Sequence, residues 1–222
     1  MSSSKITNRK YYTCNGRKYY RHESGLGSVM CWTDYDGSYR ETLILDIAFA
    51  KGVQILNRGL LWGADITDVS AITNYSENVF DSDFDVCDDE WLNNNLPWYD
   101  EHTSKENTDA MMSDDFCNKK RYAAGYCRSI EFDGLKCDLP NMQTLIRIWC
   151  DRNLIHKLDK TDKTNCWRNW EFGDYFGSVW SSSQYNEYAA WFVGDNDKNR
   201  IHLHFSNIDS NRFGVVPVAQ IV

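Results

Sequence analysis

The chain has 222 residues, of which 42% are hydrophobic and 25% charged, which excludes disorder throughout and fits one large domain. No apolar stretch approaches the roughly 20 residues of a membrane-spanning helix, and no secretion signal is evident at the start, so membrane insertion is not predicted. Charge is distributed unevenly along the chain. Residues 1–60 contain nine Lys and Arg and five Asp and Glu (+4). Residues 61–115 contain one basic and fifteen acidic residues (−14), and residues 116–222 contain fourteen basic and twelve acidic residues (+2). Because a nucleic-acid-binding surface needs a basic field, the acidic middle argues against nucleic acid as a ligand.

The N-terminal part of the sequence has the features of β structure. Asn15-Gly16 lies between two tyrosine-rich segments, and this dipeptide is a strong hairpin signal because both residues tolerate a positive φ. Asp36-Gly37 predicts a second turn in the same way. The apolar run over residues 43–49 is too short to be assigned to a helix or to a buried strand. We therefore predict that residues 1–63 form a β-rich segment that serves attachment and oligomerisation.

Residues 64–115 are polar and strongly acidic, which predicts long loops with short elements. Within them, Asp81, Asp83 and Asp85 are similar to the start of a calcium-binding loop. A calcium-binding hand needs Gly at its sixth position and Glu at its twelfth, where this sequence has Val86 and Leu92. We therefore predict no cofactor, with an irregular calcium site at the three aspartates as the alternative.

The second half of the chain predicts helices followed by strands, the order of an α+β fold. The first helix is expected over residues 115–128, and a second follows Asn141, which can cap it. Apolar residues of the second helix have the spacing of one buried face: Met142, Leu145, Ile146 and Trp149. Strands are predicted over residues 180–193, 201–205 and 213–218.

Motifs of common catalytic and metal sites are absent from the sequence. It has no GxSxG elbow, HExxH pair or phosphate-binding loop, and Ser181-Ser182-Ser183 has no His nearby to act as a base. His202 and His204 would share one face of a strand, but the spacing offers no third zinc ligand. None of the eight Cys forms a CxxC pair, and without a secretion signal we expect reduced thiols. We therefore predict neither an enzyme nor a metal protein.

Polar and aromatic residues are concentrated between Gln184 and Arg212. Tyr, Asn, Asp, His and Arg side chains are interleaved there with apolar residues such as Trp191, Leu203 and Phe205. This composition is typical of adaptable recognition surfaces, where Tyr supplies contact area and the polar groups supply hydrogen bonds. The alternative is an ordinary polar strand-and-turn edge. We favour recognition of a ligand.

An ordered series of motifs in this half of the chain resembles a known group of domains. The series is Tyr122-Ala123-Ala124-Gly125-Tyr126-Cys127-Arg128, then Leu139-Pro140 with Leu145, then Trp180-Ser181-Ser182-Ser183-Gln184-Tyr185, then Ala190-Trp191. It is similar to the C-type-lectin-like domains of formylglycine-generating-enzyme relatives, of DUF1566-type surface proteins and of variable proteins of diversity-generating retroelements. The similarity extends from about residue 110 to the end of the sequence.

The resemblance implies a C-type-lectin-like α+β domain over residues 116–222, to which the acidic residues 64–115 would belong. Two helices would pack on a short-stranded antiparallel sheet, with Trp180, Trp191, Phe205 and Val215 buried. In the retroelement-diversified branch, ligand contacts lie between and after the two Trp landmarks. Carried over by position, they fall on Tyr185, Asn186, Glu187, Tyr188, His202, His204, Asn207, Asp209, Asn211 and Arg212.

An enzyme of the formylglycine-generating type is the leading alternative function. Such enzymes need a pair of active cysteines near the C-terminus, whereas the last cysteine here is Cys166. The resemblance therefore carries over the fold and the binding surface but not that activity.

An aromatic N-terminal part ahead of a lectin-like domain is similar to the arrangement in bacteriophage fibre and appendage proteins. This implies a receptor-recognition module of a virion that is assembled in the host cytoplasm. A bacterial cell surface is the alternative location, and a purely structural virion protein is a further alternative function. The expected partners are a glycan or protein of the host cell surface and other virion subunits, and a homo-oligomer is expected, with a trimer favoured by the fibre analogy.

Overall fold

A computed structural model describes most of the chain, namely residues 9–50, 59–63, 88–95, 102–132, 134–163, 165–167, 178–195, 201–210 and 212–221. Four predicted site residues lie outside this part: Asp81, Asp83, Asp85 and Asn211. The backbone of His202 is described, but its side chain is not.

The described part contains both helices and strands, which confirms the α+β class. The strands are β1 (Tyr12–Cys14), β2 (Arg17–Arg21), β3 (Gly27–Thr33), β4 (Tyr39–Leu45), β5 (Glu131–Phe132), β6 (Leu135–Lys136), β7 (Val179–Asn186), β8 (Ala189–Asp195), β9 (Ile201–Asn207) and β10 (Val218–Gln220). The helices are α1 (Asp89–Asn95), α2 (Ser104–Ser113), α3 (Ala123–Arg128), α4 (Met142–Cys150) and α5 (Arg152–Leu158). No helix among the described residues is long and apolar enough to cross a membrane.

The first sheet combines strands from both halves of the chain, in the order β1-β2-β3-β4-β10 with antiparallel neighbours. The predicted turns at Asn15-Gly16 and Asp36-Gly37 join β1 to β2 and β3 to β4. Asn15 and Gly16 have φ angles of 46° and 75°, which a tight two-residue hairpin requires. The apolar run over 43–49 divides, since its first three residues end β4 and the chain then turns.

The second sheet has the order β7-β8-β9, again with antiparallel neighbours. The strand predicted over residues 180–193 is divided by a turn at Glu187 and Tyr188, which separates β7 from β8. Neither turn residue is Gly, Pro, Asn or Asp, and the one turn signal here is Asn186, whose side chain accepts a hydrogen bond from the backbone N–H two residues on.

The last predicted strand, over residues 213–218, is largely wrong. Phe213 and Gly214 make only single bridges, to Leu60 and to Val179, and regular pairing begins at Val218. Pro217 precedes that point, and a proline has no N–H group to donate to a strand ladder.

Helix α4 confirms the prediction for the residues after Asn141. The Asn141 side chain accepts a hydrogen bond from the Thr144 N–H at 3.0 Å, which caps the first turn. The four apolar residues of the predicted face are all buried: Met142, Leu145, Ile146 and Trp149.

The helix predicted over residues 115–128 is shorter in the structure, since α3 begins only at Ala123. The chain before it crosses closely over the helix, and a Cβ atom on Gly125 would lie 2.3 Å from the Lys119 carbonyl oxygen. Gly125 therefore permits a close backbone approach, and that packing replaces the expected first turns of the helix.

Helix α2 lies in the region that was predicted to be loops. The Thr103 side chain accepts a hydrogen bond from the Glu106 N–H at 3.2 Å, and the Glu106 carboxylate accepts one from the Thr103 N–H at 2.8 Å. This capping box, Thr-x-x-Glu, was a sequence signal for a helix start. The polar composition of the helix masked it, because α2 has few apolar residues to reveal a period.

The aromatic landmarks form the core of the C-terminal half. Trp180, Trp191 and Val215 are buried as predicted, whereas Phe205 is only half-buried. Trp191 packs in a cluster with α4 and the first sheet, and Trp180 packs in a second cluster with Trp62 and α3. Both sheets therefore pack against helices that lie elsewhere in the sequence, namely α3 and α4. The three-part division at residues 63 and 115 stays a prediction.

A buried group of charges joins the N-terminal sheet to the helices. Arg17 of β2 donates to the Asp151 carboxylate at 2.7 Å, and neither side chain is exposed. Asp89 of α1 accepts from Arg17 at 3.0 Å and from Arg147 of α4 at 2.9 Å. The Tyr19 hydroxyl donates to Asp151 at 2.5 Å. Each carboxylate thus meets several donors, as buried charges require.

Candidate ligand-recognition surface

The predicted contact residue Tyr185 rests on an aromatic base formed by β8 and β9. Its ring stacks on Phe205 with the centroids 3.9 Å apart and the planes within 5°. The same ring meets the edge of buried Trp191 at 5.4 Å. Tyr185 nevertheless keeps 39% of its surface exposed. Phe205 and Trp191 therefore fix the orientation of the Tyr185 ring, while part of the residue faces solvent.

The turn between β7 and β8 carries the next three predicted residues in the chain. The Asn186 side chain accepts a hydrogen bond from the Tyr188 N–H at 2.9 Å, and Gln184 donates to the Asn186 carbonyl at 2.8 Å. Asn186, Glu187 and Tyr188 are all exposed, and Tyr188 keeps 54% of its surface accessible. Side-chain hydrogen bonds thus hold a turn whose outer groups face solvent.

A second turn, at the end of β9, lies beside the first. Asn207 pairs with Ala189 in the ladder, and the Ile208 N–H donates to the Tyr188 carbonyl at 3.1 Å. The buried Ile208 carbonyl accepts from the N–H groups of Trp62 and Gly63, both at 3.1 Å. We call the predicted contact residues at these two turns, together with Tyr185, the turn cluster: Tyr185, Asn186, Glu187, Tyr188, Asn207 and Asp209.

Two further predicted contact residues, His204 and Arg212, lie outside these two turns. His204 is exposed and, as expected from strand alternation, lies on the face opposite Leu203. Its ring lies 6.0 Å from Phe192 and 4.9 Å from Phe205, the ring on which Tyr185 stacks. Arg212 is exposed and immediately precedes Phe213, which packs on Phe192 at 4.5 Å. The predicted set therefore extends from the two turns to His204 on β9 and to Arg212, which follows the second turn in the sequence.

The chemistry of the turn cluster suits recognition. Its members are two tyrosines, two asparagines and two acids, which offer ring faces, amide donors and acceptors, and carboxylate acceptors. The backbone beneath is held by ladder pairs and by the loop at residues 60–63. Little ordering of the backbone is then needed when a ligand binds, which lowers the entropy cost of binding.

The residues considered for catalysis have structural partners or are buried. Ser181, Ser182 and Ser183 are fully buried, and the Ser181 hydroxyl donates to the Trp191 carbonyl at 2.9 Å. Burial raises the pKa of the Cys127 thiol and raises the pKa of Cys137 to about 12, so the reactive thiolate is disfavoured at both. Among the described residues, no three His, Cys, Asp or Glu side chains are grouped so that they could hold a metal ion.

One cavity was not anticipated from the sequence. It has a volume of about 590 Å³ and lies between α2, the end of α3, the β5–β6 hairpin and β10. We call it the polar cleft, and its charged lining residues are Lys105, Asp109, Arg128, Lys136 and Asp138. Only Lys105 and Asp109 had a local sequence signal, the four-residue spacing of a helical ion pair. The remaining residues are brought to the cleft by tertiary packing.

Comparisons with protein-family models, with curated proteins and with solved structures gave no match for this chain.

Proposed function

We propose that the chain is a non-enzymatic receptor-recognition module with a C-type-lectin-like fold, and that its turn cluster binds a glycan or a protein of a host cell surface. The observation that carries this proposal is the combination of fixation and exposure at Tyr185. Its ring is held by Phe205 and Trp191, yet 39% of it faces solvent. A rigid aromatic surface beside exposed amides and carboxylates is typical of recognition sites.

The packing of the helices supports the finer fold assignment. Helix α4 contacts β7 and β8, and α2 contacts β7 and β10, so both helices lie against short antiparallel strands. Trp180 and Trp191, the landmarks of the resemblance, are buried on opposite faces of the second sheet. This is the arrangement expected of a scaffold that tolerates different residues at its exposed turns.

The proposed setting is a bacteriophage virion, in which this chain is one subunit of a homo-oligomeric fibre or appendage, favoured as a trimer. The charge distribution supports contacts between copies, since residues 1–60 carry +4 and residues 61–115 carry −14. Multi-angle light scattering of the purified chain at micromolar concentration tests this setting. A stable monomer under those conditions contradicts the oligomer.

The binding role is tested by removing the exposed groups and leaving the aromatic base intact. The variant Tyr188→Ala with Asn207→Ala deletes two exposed side chains of the turn cluster without touching Phe205 or Trp191. The matched control is Tyr39→Ala on β4, because Tyr39 and Tyr188 are each 54% exposed. Fluorescently labelled proteins are applied to a glycan array and to a panel of intact bacterial cells.

We expect the parent and the Tyr39→Ala control to label the same glycans or cells, and the double variant to lose that labelling. Tyr185→Ala, combined with Arg212→Ala, tests two further residues of the predicted set. Circular dichroism of each variant checks that the fold is retained. Undiminished labelling by the folded double variant places the binding site elsewhere and contradicts the proposal.

A further inference from the structure

The turn cluster carries two carboxylates and no basic side chain. Its acids are Glu187, in the turn between β7 and β8, and Asp209, in the turn after β9. Both are exposed, and neither forms an ion pair with a described residue. The proposed binding surface therefore presents unpaired negative charge to an approaching ligand.

The strand register brings these two acids to adjoining positions. The Ile208 N–H donates to the Tyr188 carbonyl at 3.1 Å, which continues the β8–β9 register by one pair beyond the ladder. Glu187 precedes Tyr188 and Asp209 follows Ile208, so the two acids flank this one hydrogen bond. Like charges at facing positions of neighbouring strands repel one another, and a cation bound between them relieves that repulsion.

Neither Arg212 nor a metal ion supplies this cation among the described residues. Arg212 follows Asp209 closely in the sequence, but its exposed side chain forms no ion pair with any described residue. Calcium takes about six to eight oxygen ligands, whereas the described residues include no group of three His, Cys, Asp or Glu side chains that could hold a metal. An organic cation matches two surface carboxylates, since an ammonium or guanidinium group also donates hydrogen bonds to them.

The exposed rings of the turn cluster favour the same sign of charge. Tyr188 keeps 54% of its surface accessible and Tyr185 keeps 39%, while Phe205 and Trp191 hold the Tyr185 ring in place. The face of a tyrosine ring is electron-rich and attracts an Arg or Lys cation within about 6 Å of its centre. A neutral sugar could use the rings and the asparagine amides, but it would leave the repulsion between the two carboxylates unrelieved.

We propose that the ligand of the turn cluster is a protein segment that presents an arginine or lysine side chain. The cation would lie between Glu187 and Asp209 and against the ring of Tyr185 or Tyr188. This inference rests on the proposed function, which makes the turn cluster the binding surface, and adds the chemistry of the ligand. The formal net charge of −8 on the chain also favours rapid encounter with a basic partner.

Short peptides test the preference for a cation. The probes are capped tetrapeptides with the sequences Gly-Arg-Arg-Gly, Gly-Lys-Lys-Gly and Gly-Gln-Gln-Gly, together with methyl glucoside as a neutral sugar. Binding to the full chain is followed by fluorine NMR after incorporation of 3-fluorotyrosine, and Tyr185→Phe and Tyr188→Phe assign the two signals.

We expect the arginine and lysine peptides to shift the signal of Tyr185 or Tyr188 at millimolar concentration. The glutamine peptide and the sugar should bind at least about tenfold more weakly, because neither brings a charge to the two carboxylates. Raising the NaCl concentration from about 50 mM to about 500 mM should weaken binding of the arginine peptide several-fold, since salt screens exposed charges.

A pair of double variants with the same change in net charge locates the effect. Glu187→Gln with Asp209→Asn keeps the size of both side chains, removes their charges and should weaken binding of the arginine peptide about tenfold or more. Glu23→Gln with Asp115→Asn is the matched control, because these acids are exposed, lie outside the turn cluster and form no ion pair with a described residue. The control should bind the peptide as the parent does, and circular dichroism checks that each variant is folded.

The glycan array and the panel of bacterial cells separate this inference from the proposed function. Loss of cell labelling by both Glu187→Gln with Asp209→Asn and Tyr188→Ala with Asn207→Ala supports both. Labelling that is lost only by the second of these variants keeps the turn cluster as the binding surface but overturns the cationic ligand. Labelling that is unchanged in both variants overturns the proposed function and this inference together.

Three results of the peptide titrations also overturn the inference. The first is that no arginine or lysine peptide binds, and the second is that the glutamine peptide or the sugar binds as tightly as they do. The third is an equal loss of binding in the control variant and in Glu187→Gln with Asp209→Asn, which would show that only the overall charge of the chain matters.

Discussion

Replacing Asp138 by Asn should remove a pH-dependent destabilisation of the fold. In the folded chain, burial raises the pKa of Asp138 from 3.8 to about 6, even though Arg128 lies beside it. The charged groups that face this carboxyl are Arg128, Asp109 and Lys105, with Lys136 at the rim. Because the folded state holds its proton more tightly than the unfolded state, Asp138 disfavours folding once it is ionised.

The size of the effect follows from the shift. The pKa of Asp138 rises by about two units, and each unit corresponds to about 1.4 kcal/mol, so full ionisation of Asp138 lowers the free energy of unfolding by about 3 kcal/mol relative to full protonation. The penalty is absent below the unfolded pKa, develops as the pH rises through the window from 3.8 to about 6, and is constant above it. Roughly 2 kcal/mol of it falls between about pH 4.5 and about pH 7.5.

Urea unfolding followed by tryptophan fluorescence measures this difference. The free energy of unfolding of Asp138→Asn minus that of the parent should be about 2 kcal/mol larger at about pH 7.5 than at about pH 4.5, so the variant gains relative stability as the pH rises. Comparing the two proteins at each pH cancels the titration of the other acids. A relative stability that does not change with pH would show that Asp138 has an ordinary pKa, and that its charge is well solvated in the folded chain.

Substitutions at four further positions should alter stability in ways that denaturant unfolding can measure. Arg17→Met leaves the buried Asp151 charge without its main partner and should lower the free energy of unfolding by about 3–5 kcal/mol. Lys105→Gln breaks the exposed Lys105–Asp109 pair and should lower it by less than about 1 kcal/mol. Equal costs would refute the role of burial. Trp191→Ala removes a side chain that is 1% exposed and should cost about 3–5 kcal/mol; a loss below about 1 kcal/mol is incompatible with its core position. Asn141→Ala deletes the cap of α4 and should cost about 1 kcal/mol, while Asn141→Ser should restore most of it.

Local signals in the sequence predicted the elements that depend on neighbouring residues. Asn15-Gly16 predicted the first hairpin because both residues tolerate positive φ angles, a property that does not depend on distant contacts. Asn141 and the spacing of the apolar residues after it predicted α4, because the capping residue and the buried face both lie within ten residues of sequence. The alternation of β9 placed Leu203 inside and His204 outside.

Other features depend on contacts that no local pattern contains. Helix α3 is short because Gly125 lets the backbone at Lys119 cross it. The predicted contact residues come from separate stretches of the sequence, and only the sheet shows that Tyr185 of β7 and His204 of β9 both contact the ring of Phe205. The polar cleft needs α2, the β5–β6 hairpin and β10 together, so no window of the sequence could indicate it.

The pairing of β4 with β10 affects how the chain can fold as it is synthesised. Ile44 and Val218 are partners although they lie near opposite ends of the sequence. Strands β1 to β4 form a local meander that can assemble early, but the free edge of β4 has to wait for β10 to leave the ribosome. During that interval the N–H and C=O groups of Thr42, Leu43 and Ile44 are open to pairing with another nascent chain. Slow synthesis or truncation before β10 should therefore favour aggregation through this edge.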